Sequence, residues 1–260
     1  MIRALLYLVV FVAVQFCAGV IVMGLRKVTD MQSLTDTDAM IVIMAVSSVV
    51  TAAVFLLTRW AVVSRSYLRS RPWAVLFWSV IAAGGMVIPS AWLQEQMPEL
   101  PDMLTHEFDM LLRDKYGYYV VGLLVPLVEE TVFRGAILRV LLAGVKRHWA
   151  AIVLSAVLFA LVHGNPAQMP HAFIVGILIG WMYYRTGSII PGVAYHWMNN
   201  TIAYVLYNIL PNPNASLTEL FGGEAAVLRA LLCSLVILIP AIYQLNIRMK
   251  RAKADDYTAF

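Results

Sequence analysis

The chain has 260 residues, of which 61% are hydrophobic and only 13% charged, and its formal net charge is +4. Soluble domains contain roughly half apolar and a quarter charged residues, so this much apolar surface excludes a single soluble globule. The basic residues occur in short runs between apolar segments, which excludes the clustered basic face of a nucleic-acid-binding protein.

Eight apolar runs, separated by polar or Pro- and Gly-containing stretches, follow along the chain. A bilayer core about 30 Å thick is crossed by about 20 apolar residues, so each run is long enough for one crossing or nearly so. We therefore predict an all-α, polytopic transmembrane bundle of about eight helices, forming a single integral membrane domain over residues 1–260. The runs are 4–25, 39–57, 72–93, 118–142, 149–163, 171–185, 189–210 and 225–246, the last of which is the last transmembrane helix.

Basic residues concentrate in alternate loops, which predicts the orientation because positively charged loops stay in the cytoplasm. An even number of crossings returns the chain to its starting side, so both termini are predicted to be cytoplasmic. The residues on which this prediction rests are Arg59, Arg65, Arg69, Arg71, Lys146, Arg147 and Arg185, with Arg248, Lys250, Arg251 and Lys253 in the tail.

The longest loop covers about residues 94–117, between the third and fourth runs. Its stretch 103–112 has the apolar spacing of a helix that lies on the membrane surface, and an ordered loop without helix is the alternative.

Three ionisable residues, Glu129, Glu130 and Arg134, lie near the middle of the fourth apolar run. An unpaired charge in the bilayer costs at least a few kcal/mol. Glu130 and Arg134 are four residues apart on one helix face, with the acid on the N-terminal side, and can form an ion pair. Glu129 points about 100° away and needs a partner from another helix or from a water-filled cavity. A purely structural role for both glutamates, in holding helices together, is the alternative interpretation.

Two further pairs at i, i+4 spacing supply partners for Glu129: Phe159 with His163, and His196 with Asn200. Counting about 1.5 Å per residue from the predicted helix ends places these groups at overlapping depths, so they can converge on one site. His171 starts the sixth run, and we interpret it as interfacial, with a supporting role at the site as the alternative.

The three segments resemble the motif set of the CAAX prenyl protease and bacteriocin-processing family, also called the Abi or type II CAAX endopeptidase family of intramembrane proteases. The family pattern is E-E-x-x-x-R, then F-x-x-x-H, then H-x-x-x-N or D, each on its own helix. The resemblance covers residues 118–210 as a catalytic core and leaves the N-terminal helices of 1–117 without an assigned role. The matching residues are Glu129, Glu130 and Arg134, then Phe159 and His163, then His196 and Asn200.

This resemblance implies an endopeptidase that hydrolyses membrane-associated or lipidated peptides. Glu129 would act as general base on a water that His163 helps to hold, while His196 and Asn200 would donate hydrogen bonds to the oxyanion. Glu130, Arg134 and Phe159 would support these groups. No cofactor is favoured, because the chain lacks an H-E-x-x-H helix, and a zinc ion held by Glu129, His163 and His196 is the alternative.

Two other functions fit the buried charges. Glutamate, histidine and arginine inside a membrane also form the proton relays of transporters, although the sequence has no inverted repeat of the kind common in carriers. A non-catalytic membrane scaffold or immunity factor is the second alternative, but it has no need of an unpaired buried carboxylate. The expected partners are the lipid bilayer and a peptide or protein substrate, and the sequence predicts neither the substrate nor the oligomeric state.

Overall fold

The computed structural model of the chain describes residues 1–28, 35–63, 65–213 and 215–249. Regular secondary structure in these ranges is helical and includes no β-strand, which confirms the predicted all-α fold. The helices are α1 (Ile2–Val28), α2 (Asp36–Leu57), α3 (Arg65–Arg69), α4 (Trp73–Glu95), α5 (Thr105–Arg113), α6 (118–144), α7 (His148–Leu161), α8 (Met169–Thr186), α9 (Ile190–Ile209), α10 (Leu217–Phe221) and α11 (Glu224–Arg248).

Eight helices of the described ranges are long, and they coincide with the eight predicted apolar runs. Four of them, α1, α2, α4 and α11, are long and apolar enough to cross a membrane. α7 is apolar but has only 14 residues, whereas α6, α8 and α9 carry charged or polar side chains within their length. The chain is an integral membrane protein, and the polar residues of interest lie in its less apolar helices.

α6 is one continuous helix that changes its winding twice. Two π-helical segments, Tyr118–Leu124 and Phe133–Leu138, flank the α-helical turns Val125–Val132, and Arg139–Gly144 completes the helix. The sequence predicted an uninterrupted helix here, because apolar periodicity does not distinguish these two windings. π-helical turns are rare and occur frequently at functional sites.

Helices α7 and α8 approach each other closely at two glycines of α8. A Cβ atom at Gly176 would lie 3.0 Å from the Cβ of Ala156, and one at Gly180 would lie 3.0 Å from Cγ2 of Ile152. Membrane helices associate through such small residues, because lipid provides little hydrophobic force for packing. The close approach brings the backbone of α8 and the buried Phe159 of α7 to the same region as α6.

Two apolar cores hold the site helices in place. One core joins α6 to α7 through residues that include Phe133 and Phe159, whose rings lie 5.1 Å apart in an edge-to-face arrangement. The other core packs α4, α8, α9 and α11 together around Ile179, Tyr195 and Ala241. These contacts fix α9 relative to α6 and α8, which is the arrangement that the candidate site requires.

The basic ends of two helices meet on one side of the bundle. Arg185, at the end of α8, donates hydrogen bonds to the side chain of Asn246 and to the carbonyl of Met249 at the end of α11. This arrangement agrees with the prediction that the two ends share one face of the membrane. Which face is cytoplasmic stays a prediction, and Lys250, Arg251 and Lys253 of the predicted basic tail lie outside the described residues.

The longest loop contains helix α5, so the helical alternative is the one observed. Tyr207 donates a hydrogen bond of 2.8 Å to the carboxylate of Asp109, and the side-chain amide of Asn208 donates one of 2.9 Å to the carbonyl of Leu112. Hydrogen bonds from Arg113 and then from Tyr207 hold the pKa of Asp109 below its ordinary value. The loop is therefore attached to the end of α9, one of the helices that carry the candidate site.

Candidate active site

A buried ion pair on α6 lies at the centre of the candidate site. Nη1 of Arg134 donates a hydrogen bond of 2.8 Å to Oε1 of Glu130, and the two side chains are 1% and 0% exposed. Nη2 of Arg134 donates to the carbonyl of Gly176 on α8, and the guanidinium carbon lies 4.5 Å from the ring centre of Phe159. The i, i+4 pair expected from the sequence is present, and it ties α6 to α7 and α8.

His196 of α9 lies between the two glutamates. Its Nδ1 is 3.0 Å from Oε1 of Glu130, and its Nε2 is 3.7 Å from Oε2 of Glu129. A carboxylate that already accepts from Arg134 accepts again from an imidazole N–H, so Nδ1 carries a proton and donates it to Glu130. This hydrogen bond fixes the ring so that Nε2 faces Glu129.

Glu129 points away from the ion pair, as its position one residue earlier on the helix requires. Its side chain is 16% exposed, and the 3.7 Å between Oε2 and Nε2 of His196 exceeds hydrogen-bond length. The carboxylate therefore keeps acceptor capacity on the side that faces the imidazole, where a water or a substrate group can bind.

His163 and His196 lie against the same phenyl ring. The ring of Phe159 is 4.9 Å from His163 and 5.8 Å from His196, nearly perpendicular to both. Nδ1 of His163 lies 2.8 Å from the carbonyl of Phe159, so it donates its proton there and leaves Nε2 as an acceptor. The sequence placed His163 inside a helix, but α7 ends at Leu161 and His163 lies in the following turn, which Gly164 continues at positive φ.

Asn200 lies one helical turn beyond His196 on α9 and contacts α6 through its amide. Nδ2 of Asn200 donates a hydrogen bond of 2.9 Å to the carbonyl of Val121, and Oδ1 accepts one of 3.3 Å from the side chain of Asn199. The amide has two N–H groups, so one of them stays available to a substrate.

His171 lies near this group of residues, which favours the supporting role over the interfacial one. Its ring lies close to the side chain of Asn199 and near the rings of His196 and His163. Sequence reasoning missed Asn199 entirely and placed His171 at the interface, because only the packing of α8 against α9 brings the two together. The available signal was the position of His171 as the third residue of α8, the helix that follows the His163 turn.

The zinc alternative, with Glu129, His163 and His196 as ligands, stays a prediction. Among the described residues, no group of three or more His, Cys, Asp and Glu side chains is arranged to hold a metal ion. Nδ1 of His196 is engaged with Glu130, and Nδ1 of His163 with a backbone carbonyl. These Nδ1 contacts leave Nε2 of both rings free, an arrangement that metal-ligating histidines also have, so zinc stays an alternative that chelation tests.

Residues 115–202 match the family model described as Type II CAAX prenyl endopeptidase Rce1-like. Residues 115–202 are Rce1-like. The match confirms the resemblance inferred from the three motifs and spans α6, α7, α8 and most of α9. No curated protein and no solved structure matches the chain.

The long loop contacts the Rce1-like segment at the turn that carries His163. Asn165 is fully buried. Its Nδ2 donates a hydrogen bond of 2.9 Å to Oδ1 of Asp102, and its Oδ1 accepts one of 3.1 Å from the N–H of Met103. Gln94 also donates a hydrogen bond to the carbonyl of Ala167 in the same turn. The loop thus holds the turn in place from outside, a role that no sequence pattern indicated.

Hydrogen bonding also sets the charge of Asp102. Burial acts to raise the pKa of its carboxyl, but hydrogen bonds from the side chain of Asn165, the N–H of Leu104 and the side chain of Thr105 outweigh burial and hold the pKa below its ordinary value. A depressed pKa means that the ionised form is favoured in the folded state. The contact therefore contributes fully above the ordinary carboxyl range near pH 4 and weakens as the pH falls through the lower, folded-state pKa.

Exchanging the two side chains tests this connection. Asn165→Asp places a carboxylate against Asp102, whereas Asn165→Asp combined with Asp102→Asn again sets one amide donor opposite one carboxylate. We expect amide hydrogen exchange across residues 97–104 and 163–168 to become about tenfold faster in the single variant, because Asp102 loses its amide donor and faces a second carboxylate instead. The double variant should return close to the wild-type rate, and equal exchange in both variants would contradict the contact.

Proposed function

We propose that the protein is an intramembrane endopeptidase that hydrolyses a peptide bond with water activated by Glu129. The observation that carries this proposal is the arrangement of His196, whose Nδ1 is fixed by Glu130 while its Nε2 faces the carboxylate of Glu129. The Rce1-like match of the same segment supports proteolysis as the reaction. The geometry supports it because a base and a directed donor lie next to each other.

Glu129 has the properties of a general base in this proposal. It is partly shielded, lies outside the Glu130–Arg134 pair, and keeps acceptor capacity near Nε2 of His196. Glu129 takes a proton from water as the oxygen attacks the scissile carbonyl, and later returns it to the leaving amine. Nε2 of His163, an acceptor in the tautomer fixed by the carbonyl of Phe159, holds the second water hydrogen.

His196 and Asn200 stabilise the negative oxygen that develops on the carbonyl. With Nδ1–H donated to Glu130, His196 donates through Nε2 only as an imidazolium with both nitrogens protonated. Two glutamates and one arginine leave one negative charge in excess, and an imidazolium balances it, as buried charges in a membrane require. The second N–H of Asn200 provides the other donor, and such fixed donors are most effective where water is excluded.

The substrate class follows the family description. We propose that the enzyme cleaves peptides that are anchored in or near the bilayer, with prenylated C-terminal CAAX sequences as the first class to test. Glu129, His196 and Asn200 lie on helices of a membrane protein, so a substrate held at the membrane reaches them without a soluble intermediate.

The test compares membrane peptides from cells that express the wild-type chain or the Glu129→Ala variant. Peptides that shorten only with the wild type define the substrate, and synthetic versions are then added to purified protein in liposomes, with farnesylated and unmodified CAAX peptides in parallel. We expect cleavage by the wild type and none by Glu129→Ala or His163→Ala. Proton flux across the same liposomes without any cleavage would overturn the proposal in favour of a transporter.

Chelation tests the metal-free form of the mechanism. We expect turnover of the reconstituted enzyme to change less than about twofold after exhaustive treatment with a membrane-permeant chelator, because Glu129 itself activates the water. The measurement is initial rate before and after chelation, with readdition of Zn²⁺. Loss of activity that Zn²⁺ restores would show that a metal takes part and would contradict this form of the mechanism.

A further inference from the structure

The first π-helical segment of α6 has an unusual backbone feature beside Asn200. In this segment the N–H of Val125 donates to the carbonyl of Val120, five residues earlier. Continued by one residue, this register pairs the carbonyl of Val121 with the N–H of residue 126. Residue 126 is proline, which has no N–H, so the carbonyl of Val121 lacks its partner within the helix.

The missing donor is supplied by Asn200. Its Nδ2 donates a hydrogen bond of 2.9 Å to the carbonyl of Val121. A backbone carbonyl inside a membrane protein has little water with which to form a hydrogen bond, and it therefore requires a donor from the protein. The proline thus creates an acceptor on α6, and the amide of Asn200 is oriented by it.

Neighbouring contacts hold the π-helical segment against α9 at this height. Nε1 of Trp197 donates a hydrogen bond of 3.2 Å to the hydroxyl of Tyr118, and that hydroxyl lies 3.2 Å from Oγ1 of Thr201. Gly122 makes room for the Tyr118 ring, since a Cβ at this position would lie 2.6 Å from it. The hydrogen bond between Val121 and Asn200 is therefore one of several contacts between this segment and α9.

The orientation of the amide has a direct consequence for the reaction. Oδ1 of Asn200 accepts from Asn199, and one N–H of Nδ2 is held by Val121, so the direction of the remaining N–H is fixed. We infer that Pro126 is a positioning residue, which frees the carbonyl of Val121 so that Asn200 points its second N–H at the substrate. This inference rests on the proposed function, in which Asn200 donates to the oxyanion.

Pro126→Ala tests the inference because alanine restores the N–H that competes for the carbonyl of Val121. We expect kcat to fall about 10- to 100-fold with KM unchanged, since small misplacement of a catalytic group reduces rate by such factors. Asn200→Ala should lower kcat at least as much. The double variant should be no slower than Asn200→Ala alone, because Pro126 acts through Asn200.

Two controls separate this role from a general effect of proline on folding. Pro240→Ala removes the proline inside α11, and it should leave kcat unchanged. Lactic acid incorporated at position 126 by nonsense suppression lacks both the ring and the N–H, and it should retain near wild-type kcat. The inference is overturned if the effects of Pro126→Ala and Asn200→Ala multiply, or if lactic acid at 126 is as impaired as alanine or does not fold. Full turnover in Glu129→Ala would instead overturn the proposed function.

Discussion

Glu129→Gln is expected to lower kcat of peptide cleavage by about 10²- to 10⁴-fold, the usual contribution of a general base. Glutamine has nearly the same shape but cannot take a proton from water. The side chain lies outside the Glu130–Arg134 pair and is partly exposed, so the substitution leaves the buried ion pair intact. Initial rates in liposomes, at saturating and limiting peptide, give kcat and KM separately.

The matched control for this variant is Glu224→Gln. Glu224 is an exposed glutamate in the first turn of α11, so the same chemical change occurs away from the site. We expect its kcat to equal that of the wild type, and the melting temperatures of both variants to stay close to it. Turnover of Glu129→Gln at the wild-type rate would contradict the mechanism in which Glu129 is the general base.

The helical architecture could be predicted from composition and apolar run length alone. Each of the eight helices that have 14 or more described residues lies within a few residues of a predicted run, because a bilayer crossing requires a long apolar segment. What the runs could not predict is the winding of the fourth helix. The two π-helical segments of α6, Tyr118–Leu124 and Phe133–Leu138, leave the apolar pattern unchanged.

In the candidate site, too, contacts within one helix could be predicted from the sequence, and contacts between helices could not. The Glu130–Arg134 pair could be predicted because both residues lie on one helix at a spacing that brings them together. The contact of His196 with Glu130 could not, since it depends on how α9 packs against α6; the family resemblance implied only that Glu130 supports the catalytic groups. The structure gives Glu130 a second role, which is to orient the imidazole that faces Glu129.

The contacts of the long loop and those between neighbouring polar side chains could not be predicted from the sequence either. Asn165 is an asparagine next to a proline, a common feature of surface turns, yet it is fully buried and holds the loop to the His163 turn. His171 and Asn199 meet only through tertiary packing. Local patterns therefore identify residues that carry charge into the membrane, while tertiary packing determines the residues that orient them.

Arg134→Met should destabilise the folded protein by about 3–5 kcal/mol, the typical effect of removing one member of a buried ion pair. The carboxylate of Glu130 is fully buried, and its Oε2 has no hydrogen-bond partner among the described residues. Loss of Arg134 would leave this charge with only His196 beside it. Equilibrium unfolding in detergent micelles measures the change in free energy.

Two comparisons decide whether the lost stability comes from the uncompensated charge. Glu130→Gln combined with Arg134→Met removes the charge that Arg134→Met exposes, and it should recover most of the stability, because a neutral amide still accepts from His196. Arg113→Met breaks a second i, i+4 pair, with Asp109, whose side chains are 59% and 41% exposed, and it should change stability far less. A double variant as unstable as Arg134→Met would mean that the arginine acts through its packing on Phe159 and its hydrogen bond to the carbonyl of Gly176 rather than through its pairing with Glu130.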